Sequence, residues 1–349
     1  MARSLDDWRR LVTGSYPEGL VRAGILATVQ ALFDKGMPAL FTVTHIADEV
    51  QIDPIVIRQM LNAPGKFYRS FQIPKRRGGF RQIEVPYPSL MTVQRWIHKE
   101  ILLKCETHPA VNGFVIGRSI LTNALNHCGK ESILRIDIRD FFPSIRLPRV
   151  ISVFQHIGYL PRTSYYLALL CTNEKCLPQG APTSPLISNI VCGMLDRRLT
   201  GLAAKHSLTY TRYADDLVFS GAAIPEGLAD LVRLVLLDEG FEENKQKTFL
   251  ATGHSKKVVT GLSVSGDKPK VQRTQRRKWR QEYYFVRKFG AIDHGFRTGN
   301  SDPLYLESLL GKFNFWRFIE PENEFVAEAL VQLKKIQQEM DSIELPVPT

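Results

Sequence analysis

The chain is organised around the sequence TYTRYADDLVFS, Thr209 to Ser220. β-Branched and aromatic residues on both sides of an acidic pair predict two short strands joined by a tight turn. Neighbouring residues of a strand point to opposite faces, so only a bend at Asp215 and Asp216 lets both carboxylates approach one site. Such a carboxylate pair suits hard divalent cations such as Mg²⁺, which prefer oxygen ligands and complete their coordination with phosphates and water.

A third carboxylate lies upstream, in the segment SILRIDI, Ser132 to Ile138. The alternation predicts a strand with apolar residues on one face and Asp137 on the other. An acidic side chain within a core strand is costly unless it is paired or bound to a metal. We therefore expect Asp137 to join Asp215 and Asp216 at one site. Phe142 follows five residues later, after the turn that ends this strand.

The charge balance points to a polyanionic partner. The 349 residues carry 46 Lys and Arg against 35 Asp and Glu, a formal net charge of +11. An excess of this kind favours binding to nucleic acid or to a membrane surface. The hydrophobic fraction of 44% is ordinary for a globular protein, and the length allows a sizeable core.

We expect a cytoplasmic protein that does not use a membrane. No apolar run approaches the ~18 residues that span a bilayer, and MARSLDDWRR at the N-terminus lacks the apolar core of a signal peptide. The five cysteines have no zinc-type spacing, and an odd number argues against a disulfide framework. We expect them to be reduced thiols, most of them buried.

The first 62 residues are predicted to be helical. The dipeptide Asp53-Pro54 is typical of a helix start, with Asp as the cap and Pro in the first turn. Residues 44–61 have the pattern of a helix-turn-helix. Such pairs occur in DNA-binding regulators, but they are more common as plain packing units, and we favour a helical extension packed on the next domain.

Residues 63–88 are predicted to form a β-hairpin. Its strands run from Phe71 to Pro74 and from Arg81 to Val85, and a basic loop around Gly78-Gly79 joins them. Arg81 lies on the returning strand, where its guanidinium can lie against phosphate groups. A solvated basic loop without a ligand explains the same composition about equally well.

Two further segments carry polar residues in defined positions. A helix is predicted between Ser119 as the N-cap and Gly129 as the residue after its end, and Asn123 and His127 would share one face of it. LPQGAPTSP, Leu177 to Pro185, is a turn-rich loop that enters a helix. The notable positions of this loop are Gln179, which both donates and accepts hydrogen bonds, Gly180, which allows close backbone approach, and Ser184, the predicted N-cap.

The C-terminal third is strongly basic. NKQKT places Lys247 near a strand start, and Val258 to Val264 is predicted to be a strand that contains Gly261. Between His254 and Gly299, 12 Lys and Arg stand against 3 Asp and Glu. Basic residues alternate there with aromatic ones, a composition that suits a nucleic-acid duplex. These residues are Arg273, Arg276, Arg277, Lys278, Trp279, Arg280, Tyr283, Tyr284 and Phe285.

The order of these pieces matches the palm of a right-hand polymerase, in which two metals activate a 3′-hydroxyl and stabilise the departing pyrophosphate. From about Ile73 to Leu262 the sequence resembles the reverse transcriptases. RIDIRDFF is similar to their first palm motif, PQGAPTSP to their PQGxxxSP motif, YADD to their YxDD box, and NKQKT to the motif with a lysine near the leaving pyrophosphate.

Two further motifs resemble those of retron reverse transcriptases. Asn123 to His127 matches their NAxxH signature, and Val259-Thr260-Gly261 matches VTG. The resemblance implies an α+β right-hand polymerase that lacks protease and ribonuclease H domains. It implies copying of a structured noncoding RNA, with the 2′-hydroxyl of a guanosine as primer, into branched RNA-linked single-stranded DNA. Many such systems act in anti-phage defence with an effector protein.

The resemblance also implies residue roles. Asp137, Asp215 and Asp216 would be catalytic and would bind two Mg²⁺ ions. The residues with implied nucleotide contacts are Arg81 at the triphosphate, Phe142 under the sugar, Gln179 at the nucleotide or template, and Lys247 near the pyrophosphate. The implied RNA-binding residues are Asn123, His127, Val259, Thr260 and Gly261, joined by Arg273, Arg276 and Arg277 of the basic stretch.

The expected organisation is an N-terminal helical extension over residues 1–64, fingers and palm over 65–262, and a basic helical thumb over 263–349.

One alternative is another bacterial reverse transcriptase, of the group II intron-like, diversity-generating or abortive-infection type, against which NAxxH and VTG count. A second is a non-catalytic RNA-binding scaffold of a defence complex, against which the intact acidic trio counts. A helix-turn-helix regulator would leave the palm motifs unexplained.

Overall fold

The computed structural model describes residues 4–75, 78–291, 302 and 304–341. Part of the predicted basic hairpin loop, residues 76–77, lies outside this range. Parts of the predicted thumb, residues 292–301, 303 and 342–349, lie outside it as well. Within the described residues no helix is both long and apolar enough to cross a membrane. All five cysteines fall in the described ranges and are free thiols.

Helices dominate the described chain, and its strands are short. The α-helices are α1 Leu5–Ser15, α2 Leu20–Asp34, α3 Val43–Val50, α4 Pro54–Asn62, α5 Pro88–Glu100, α6 Ile120–Leu125, α7 Phe141–Ser144, α8 Leu147–Ile157, α9 Pro161–Cys171, α10 Ser184–Val191, α11 Gly193–Lys205, α12 Leu228–Asp238, α13 Arg273–Phe289, α14 Tyr305–Ile319 and α15 Glu324–Asp341. Short 3₁₀ helices cover Pro64–Phe67 and Leu102–Lys104.

The described strands form three sheets. They are β1 Tyr68–Pro74, β2 Phe80–Pro86, β3 Ser132–Asp137, β4 Thr209–Tyr213, β5 Asp216–Gly221, β6 Phe249–Ala251, β7 Val258–Val259, β8 Leu262–Ser263 and β9 Lys270–Val271. β1 and β2 pair as an antiparallel hairpin, the central sheet has the order β4-β5-β3-β6, and β7, β8 and β9 form a small antiparallel sheet. The α+β class expected from the sequence is confirmed.

The described part of the chain divides into two compact units. The first unit comprises Met1–Arg118, Leu134–Phe219 and Ile224–Phe249, and the second comprises Ser119–Ile133, Ser220–Ala223 and Leu250–Thr349. The N-terminal helices therefore belong to the same unit as the acidic strand and hairpin. The three-part division into extension, core and thumb stays a prediction.

The N-terminal helices are built as the sequence indicates. Asp53 accepts a hydrogen bond from the backbone N–H of Ile55, and Pro54 lies in the first turn of α4. Ile46 of α3 and Ile57 of α4 are fully buried in the core of the first unit. The hydroxyl of Tyr159 donates a hydrogen bond to the carbonyl of Pro38 at 2.9 Å. This bond also connects the N-terminal segment to the core. The helix pair is thus a packing element.

Two details of the predicted elements are wrong by small amounts. α6 ends at Leu125, so Gly129 does not terminate it, although Ser119 caps it with its side chain as expected. α10 begins at Ser184, whose hydroxyl donates to the carbonyl of Pro178 at 2.8 Å and so does not act as the N-cap. Thr183 precedes the helix instead.

The predicted strand over Val258–Val264 is a hairpin. Thr260 and Gly261 have φ values of 45° and 85°, and Val259 pairs with Leu262 across them. Two consecutive residues with positive φ make the tight turn that matches the twist of a two-residue hairpin. The β-branched valines had predicted a continuous strand, whereas the Thr-Gly pair folds it back on itself.

The second unit has an aromatic core. Trp279 and Tyr283 of α13 are buried together with Phe313 and Trp316 of α14. The indole ring of Trp279 lies 6.0 Å from that of Trp316. Two aromatic residues of the stretch whose composition suits a nucleic-acid duplex are therefore core residues, because they supply the apolar stripe of an amphipathic helix. Tyr284 is exposed.

Candidate active site

The acidic residues of the first unit meet where β3 ends and the β4–β5 hairpin turns. Asp137 is the last residue of β3 and is 4% exposed. The next residue, Ile138, donates its backbone N–H to the carbonyl of Asp215 at 2.9 Å. Asp216 starts β5, which lies beside β3 in the sheet. The predicted proximity of the strand end and the hairpin turn is therefore observed.

Each carboxylate interacts with nearby cations or carboxylates. Lys247 Nζ lies 2.8 Å from both carboxylate oxygens of Asp137. Asn244 Nδ2 donates to Asp137 Oδ1 at 3.1 Å. Arg135 Nε lies 3.7 Å from Asp216 Oδ1. The cations thus balance part of a strongly negative cluster.

Burial and the crowding of negative charge both show in the pKa values of Asp215 and Asp216. Burial, and then the charges of Asp137 and Asp216, raise the pKa of Asp215 to about 6. Burial also raises the pKa of Asp216, and the neighbouring Arg135 opposes that rise. Two adjacent carboxylates whose ionised forms are disfavoured are typical of a site that is completed by a cation.

The donor set suits a divalent cation, because all three residues offer carboxylate oxygens. Within the described residues, however, no three acidic, histidine or cysteine side chains already form a closed cluster that could hold a metal ion. Asp137 is turned toward Lys247 and Asp216 toward Arg135. Mg²⁺ is commonly bound by one or two carboxylates with substrate phosphates and water as the other ligands, so a closed protein cluster is not required.

The segment that carries Lys247 is attached to the end of β3. The backbone N–H of Asn244 donates to the carbonyl of Asp137 at 2.7 Å, and that of Lys247 donates to the carbonyl of Asn244 at 2.9 Å. The nearly buried carboxylate of Glu243 pairs with Arg233 Nε at 2.7 Å and accepts a bond from Thr248. These contacts fix the direction from which Lys247 reaches the acidic cluster.

The β1–β2 hairpin contacts the Gly-Pro loop at Glu84. Its backbone N–H donates to the carbonyl of Gln179 at 2.9 Å. A Cβ on Gly180 would lie 2.8 Å from the carbonyl oxygen of Glu84, so the close approach predicted for this glycine is observed. Arg81 is exposed on the same strand and opposite Ile73. Arg81 and Gln179 thus belong to one connected region of the first unit.

Phe142 lies in α7, immediately after the turn that follows β3. Its ring is half-buried and lies 6.3 Å from the ring of Phe114. Phe141 is only 5% exposed and contacts the ring of Phe241 at a centroid distance of 6.0 Å. The two neighbouring phenylalanines therefore differ, since one fills the core and the other presents part of its ring to solvent.

The residues assigned to RNA by resemblance lie in the second unit and differ in exposure. Asn123 and His127 are fully buried, and His127 Nδ1 lies 2.6 Å from Ser220 Oγ. Val259 is buried as well, whereas Gly261 is exposed. The hydroxyl of Thr260 donates to the carbonyl of Ile120 at 3.0 Å, which attaches the turn to α6.

The basic residues of α13 are also not equivalent. Arg273 and Arg277 are exposed, while Arg276 is half-buried and its Nη1 lies 3.9 Å from Glu320 Oε2. Lys288 lies over the exposed ring of Tyr284, with Nζ 5.8 Å from the ring centroid. The exposed face of α13 is therefore basic, with one aromatic ring.

Sequence reasoning missed two residues that shape the site. Asn244 stands in the NKQKT segment and contacts Asp137 through both its backbone and its side chain. Arg212 stands in the strand that leads into the acidic turn and is fully buried. A charged residue between aromatic residues of a core strand was the available signal, and it is the same signal that identified Asp137.

Comparison with known proteins assigns the chain to a family. The family model for reverse transcriptase (RNA-dependent DNA polymerase) matches residues 73–279. The retron Ec86 reverse transcriptase of Escherichia coli is 33% identical over 265 residues, which cover 74% of this chain and 83% of that protein. The retron Mx162 reverse transcriptase of Myxococcus xanthus is 39% identical over 228 residues, which cover 57% of this chain.

The match spans about half of the Mx162 protein, 47% of its length. Among solved structures, a telomerase from Candida albicans with a fragment of telomeric RNA covers 79% of this chain and 64% of its own, with a TM-score of 0.43 and 13% identity.

The chain belongs to the reverse transcriptase family of RNA-directed DNA polymerases. Within that family it is a retron-type reverse transcriptase. The right-hand polymerase fold that the palm motifs implied is thereby confirmed, with a helical region at the N-terminus. Enzymes of this family copy an RNA template and use divalent metal ions.

Proposed function

We propose that this chain synthesises DNA on a structured noncoding RNA that supplies both the template and, through a guanosine 2′-hydroxyl, the primer. The product is RNA-linked single-stranded DNA, and the substrates are the four deoxynucleoside triphosphates. The observation that carries this proposal is the meeting of Asp137 with the Asp215–Asp216 turn in a chain that also contains the NAxxH and VTG segments. Anti-phage defence with an effector protein belongs to the same proposal.

Asp137, Asp215 and Asp216 would hold two Mg²⁺ ions. When bound, the ions lower the pKa of the attacking hydroxyl and balance the charge of the leaving pyrophosphate. The raised pKa of Asp215 supports this role, because burial and then the neighbouring negative charges disfavour its ionised form, which makes a cation a favourable partner.

The other residues of the first unit would position the nucleotide. Arg81, exposed on β2, would bind the triphosphate through its guanidinium. Gln179 would contact the nucleotide or the template. Phe142 would close the space below the sugar, where a ribose 2′-hydroxyl would collide with its ring. Lys247 is close enough to Asp137 to neutralise charge beside the departing pyrophosphate.

The second unit would recognise the RNA. Gly261 and the exposed arginines of α13 are accessible to a phosphate backbone. Asn123 and His127 are buried in this structure, so we propose that they contribute through the shape of the segment that they support. We further propose that residues 1–64 form the helical extension, 65–262 the fingers and palm, and 263–349 the thumb.

The test is to purify the full chain from cells that carry its own genomic neighbourhood and to analyse the nucleic acid that co-purifies. The parent protein should carry RNA joined to DNA by a branch, detected as a product that a debranching enzyme shortens. Asp215→Asn should carry the RNA without DNA, because synthesis should fall by roughly 10³-fold, equivalent to about 4 kcal/mol.

Three results would contradict the proposal. RNA without DNA on the parent protein would favour a non-catalytic scaffold. DNA without a branch would favour another class of reverse transcriptase. Undiminished extension of an annealed primer by Asp215→Asn in Mg²⁺ would remove the acidic turn from the chemistry. Arg58→Ala, which changes an exposed residue of α4, serves as the matched control variant.

A further inference from the structure

A fully buried arginine holds the turn that carries Asp215. Arg212 lies in β4 and forms a bidentate pair with Asp196 of α11, through Nε to Oδ1 at 2.8 Å and Nη2 to Oδ2 at 2.7 Å. Both side chains have no exposed surface. The remaining nitrogen, Nη1, donates to the carbonyl of Ala214 at 3.2 Å. The guanidinium thus contacts the residue directly before the catalytic carboxylate.

Asn189 of α10 completes this contact. Its Oδ1 accepts from Arg212 Nη1 at 3.1 Å, and its Nδ2 donates to the carbonyl of Gly113 at 2.9 Å. Asn189 is 1% exposed. α10 is the helix that the Gln179 loop enters. One amide therefore connects the helix behind the proposed nucleotide-contacting loop to the arginine that holds the acidic turn.

The turn is confined from the other side by Gly113. A Cβ on this glycine would lie 2.7 Å from the backbone nitrogen of Ala214 and 3.2 Å from the carbonyl carbon of Tyr213. The backbone N–H of Asn112 donates to the carbonyl of Arg212 at 2.8 Å. Ala214 itself has a φ of 55°, a left-handed conformation that is strained for a residue other than glycine. The surrounding contacts must hold it there.

A buried ion pair is a weak means of stabilising a fold, because desolvation of both charges offsets most of their attraction. The pair instead orients the guanidinium. Because the group is planar, the two bonds to Asp196 also set the direction in which Nη1 points toward the turn. The pair is therefore better explained by the placement of the acidic turn than by stability.

We propose that Asn189, acting through Arg212, is a positioning residue for the catalytic carboxylates. It holds Nη1 in the direction of the Ala214 carbonyl and so sets where the Asp215 carboxylate stands relative to Asp137. The inference rests on the proposed function of the acidic trio. It adds that α10 and the acidic turn are mechanically connected.

The test compares Asn189→Ala with Tyr210→Phe. Tyr210 donates its hydroxyl to Asp196 at 2.9 Å, so Tyr210→Phe removes a bond from the same buried network without touching the turn. Asn189→Ala should weaken Mn²⁺ binding, followed by electron paramagnetic resonance, by roughly 10-fold. It should lower kcat for extension of an annealed primer by roughly 10- to 100-fold with little change in KM for the primer–template. Tyr210→Phe should stay within about twofold of the parent in both assays, whatever its melting temperature.

A second pair of variants changes the same geometry without removing a hydrogen bond. Gly113→Ala should push against Ala214 and reproduce the loss of Mn²⁺ affinity. Gly201→Ala on α11 is its matched control, because a Cβ there meets no atom within 4 Å. Loss of the fold in both Asn189→Ala and Gly113→Ala would overturn the proposal, since the network would then be structural.

The proposal would also be overturned by a folded Asn189→Ala whose Mn²⁺ affinity and kcat stay within about twofold of the parent. The proposal would be overturned as well if Tyr210→Phe lost as much Mn²⁺ affinity and kcat as Asn189→Ala. Asp215→Asn, measured in parallel, separates this failure from that of the proposed function. If Asp215→Asn polymerises normally, the catalytic assignment falls. If Asp215→Asn loses activity but Asn189→Ala keeps the Mn²⁺ affinity and kcat of the parent, only the positioning role of Asn189 is rejected.

Discussion

The Asp215–Asp216 turn and the Asn123–His127 segment differ in how far their polar side chains are buried. In the first unit, Asp215 and Asp216 are only half-buried, and partial burial, followed by the charges of Asp137 and Asp216, raises the pKa of Asp215 to about 6. In the second unit, Asn123 and His127 are completely buried. Burial lowers the pKa of His127 to about 3, and the charge of Lys130 adds a smaller contribution.

The difference indicates two ways in which a motif can serve function. A carboxylate that binds a cation must remain accessible to it. Surroundings that disfavour the ionised carboxylate in the absence of the cation make binding of the cation more favourable. A buried amide or imidazole cannot touch a ligand in this structure and acts on the shape of its surroundings. The predictions below test this distinction, from the largest expected effect to the smallest.

The first prediction concerns the two adjacent phenylalanines. Phe141→Ala should lower the free energy of unfolding by roughly 3–5 kcal/mol, because Phe141 is buried against Phe241. Phe142→Ala should cost less and should begin to incorporate ribonucleotides, because the ring proposed to exclude the 2′-hydroxyl is gone. Denaturant melts and primer extension with each nucleotide set measure the two effects. If folded Phe142→Ala still rejects ribonucleotides, the gate lies elsewhere.

The second prediction separates the two buried polar residues of the second unit. His127→Ala should lower the free energy of unfolding by about 1–3 kcal/mol, because it leaves Ser220 without the contact at 2.6 Å. Neither polar atom of the Asn123 side chain has a hydrogen-bond partner in the structure. Asn123→Leu should therefore leave stability unchanged or raise it, since it removes a buried unsatisfied amide.

The functional assay for this pair is priming on the RNA that co-purifies with the protein, beside extension of a generic annealed primer. His127→Ala should impair priming more than extension. Equal losses in the two assays would make His127 a core residue only. A stable Asn123→Leu that fails in priming alone would show that the amide meets RNA after a rearrangement.

The third prediction is that Asp215 and His127 give opposite dependences of stability on pH in metal-free protein. The folded state raises the pKa of Asp215 from 3.8 to about 6, so this group makes the unfolding free energy fall as the pH rises through that range. The folded state lowers the pKa of His127 from 6.5 to about 3, so the contribution of this group is complete above 6.5 and is lost as the pH falls.

Melting curves in a chelator at about pH 5 and about pH 7 measure both contributions. The stability gained by Asp215→Asn should be larger at the higher pH, and so should the stability lost by His127→Ala. A gain for Asp215→Asn that does not change with pH would mean that neither burial nor the neighbouring charges perturb the carboxylate.

The smallest effect is expected on the basic face of α13. Arg277→Glu should weaken binding to all duplexes alike and reduce the slope of log K against log salt by about 1, because phosphate contacts carry no sequence information. Arg276→Glu is the comparison, since Arg276 lies near Glu320 and should also lose stability. Salt titrations on two unrelated duplexes measure the slopes. A loss confined to one sequence would contradict a phosphate contact.

The sequence by itself determined the parts of the site that depend on local chemistry. A charged residue in an alternating strand identified Asp137, and adjacent acidic residues between β-formers identified the turn at Asp215. The helix start at Asp53 and the close approach at Gly180 were predicted as well and are observed. The residue types in a short stretch of sequence already indicate each of these features, although the segment that approaches Gly180 lies elsewhere in the chain, at Glu84.

Only the tertiary structure decided which distant residues meet. Lys247 reaches Asp137 across 110 positions of the chain, and Arg212 pairs with Asp196 of a preceding helix. The burial of Asn123 and of Trp279 could not be predicted either, because a polar or aromatic residue on a helix is compatible with solvent and with the core. Strand order and the packing of each unit select among these possibilities, and both arise from contacts between segments that no local pattern encodes.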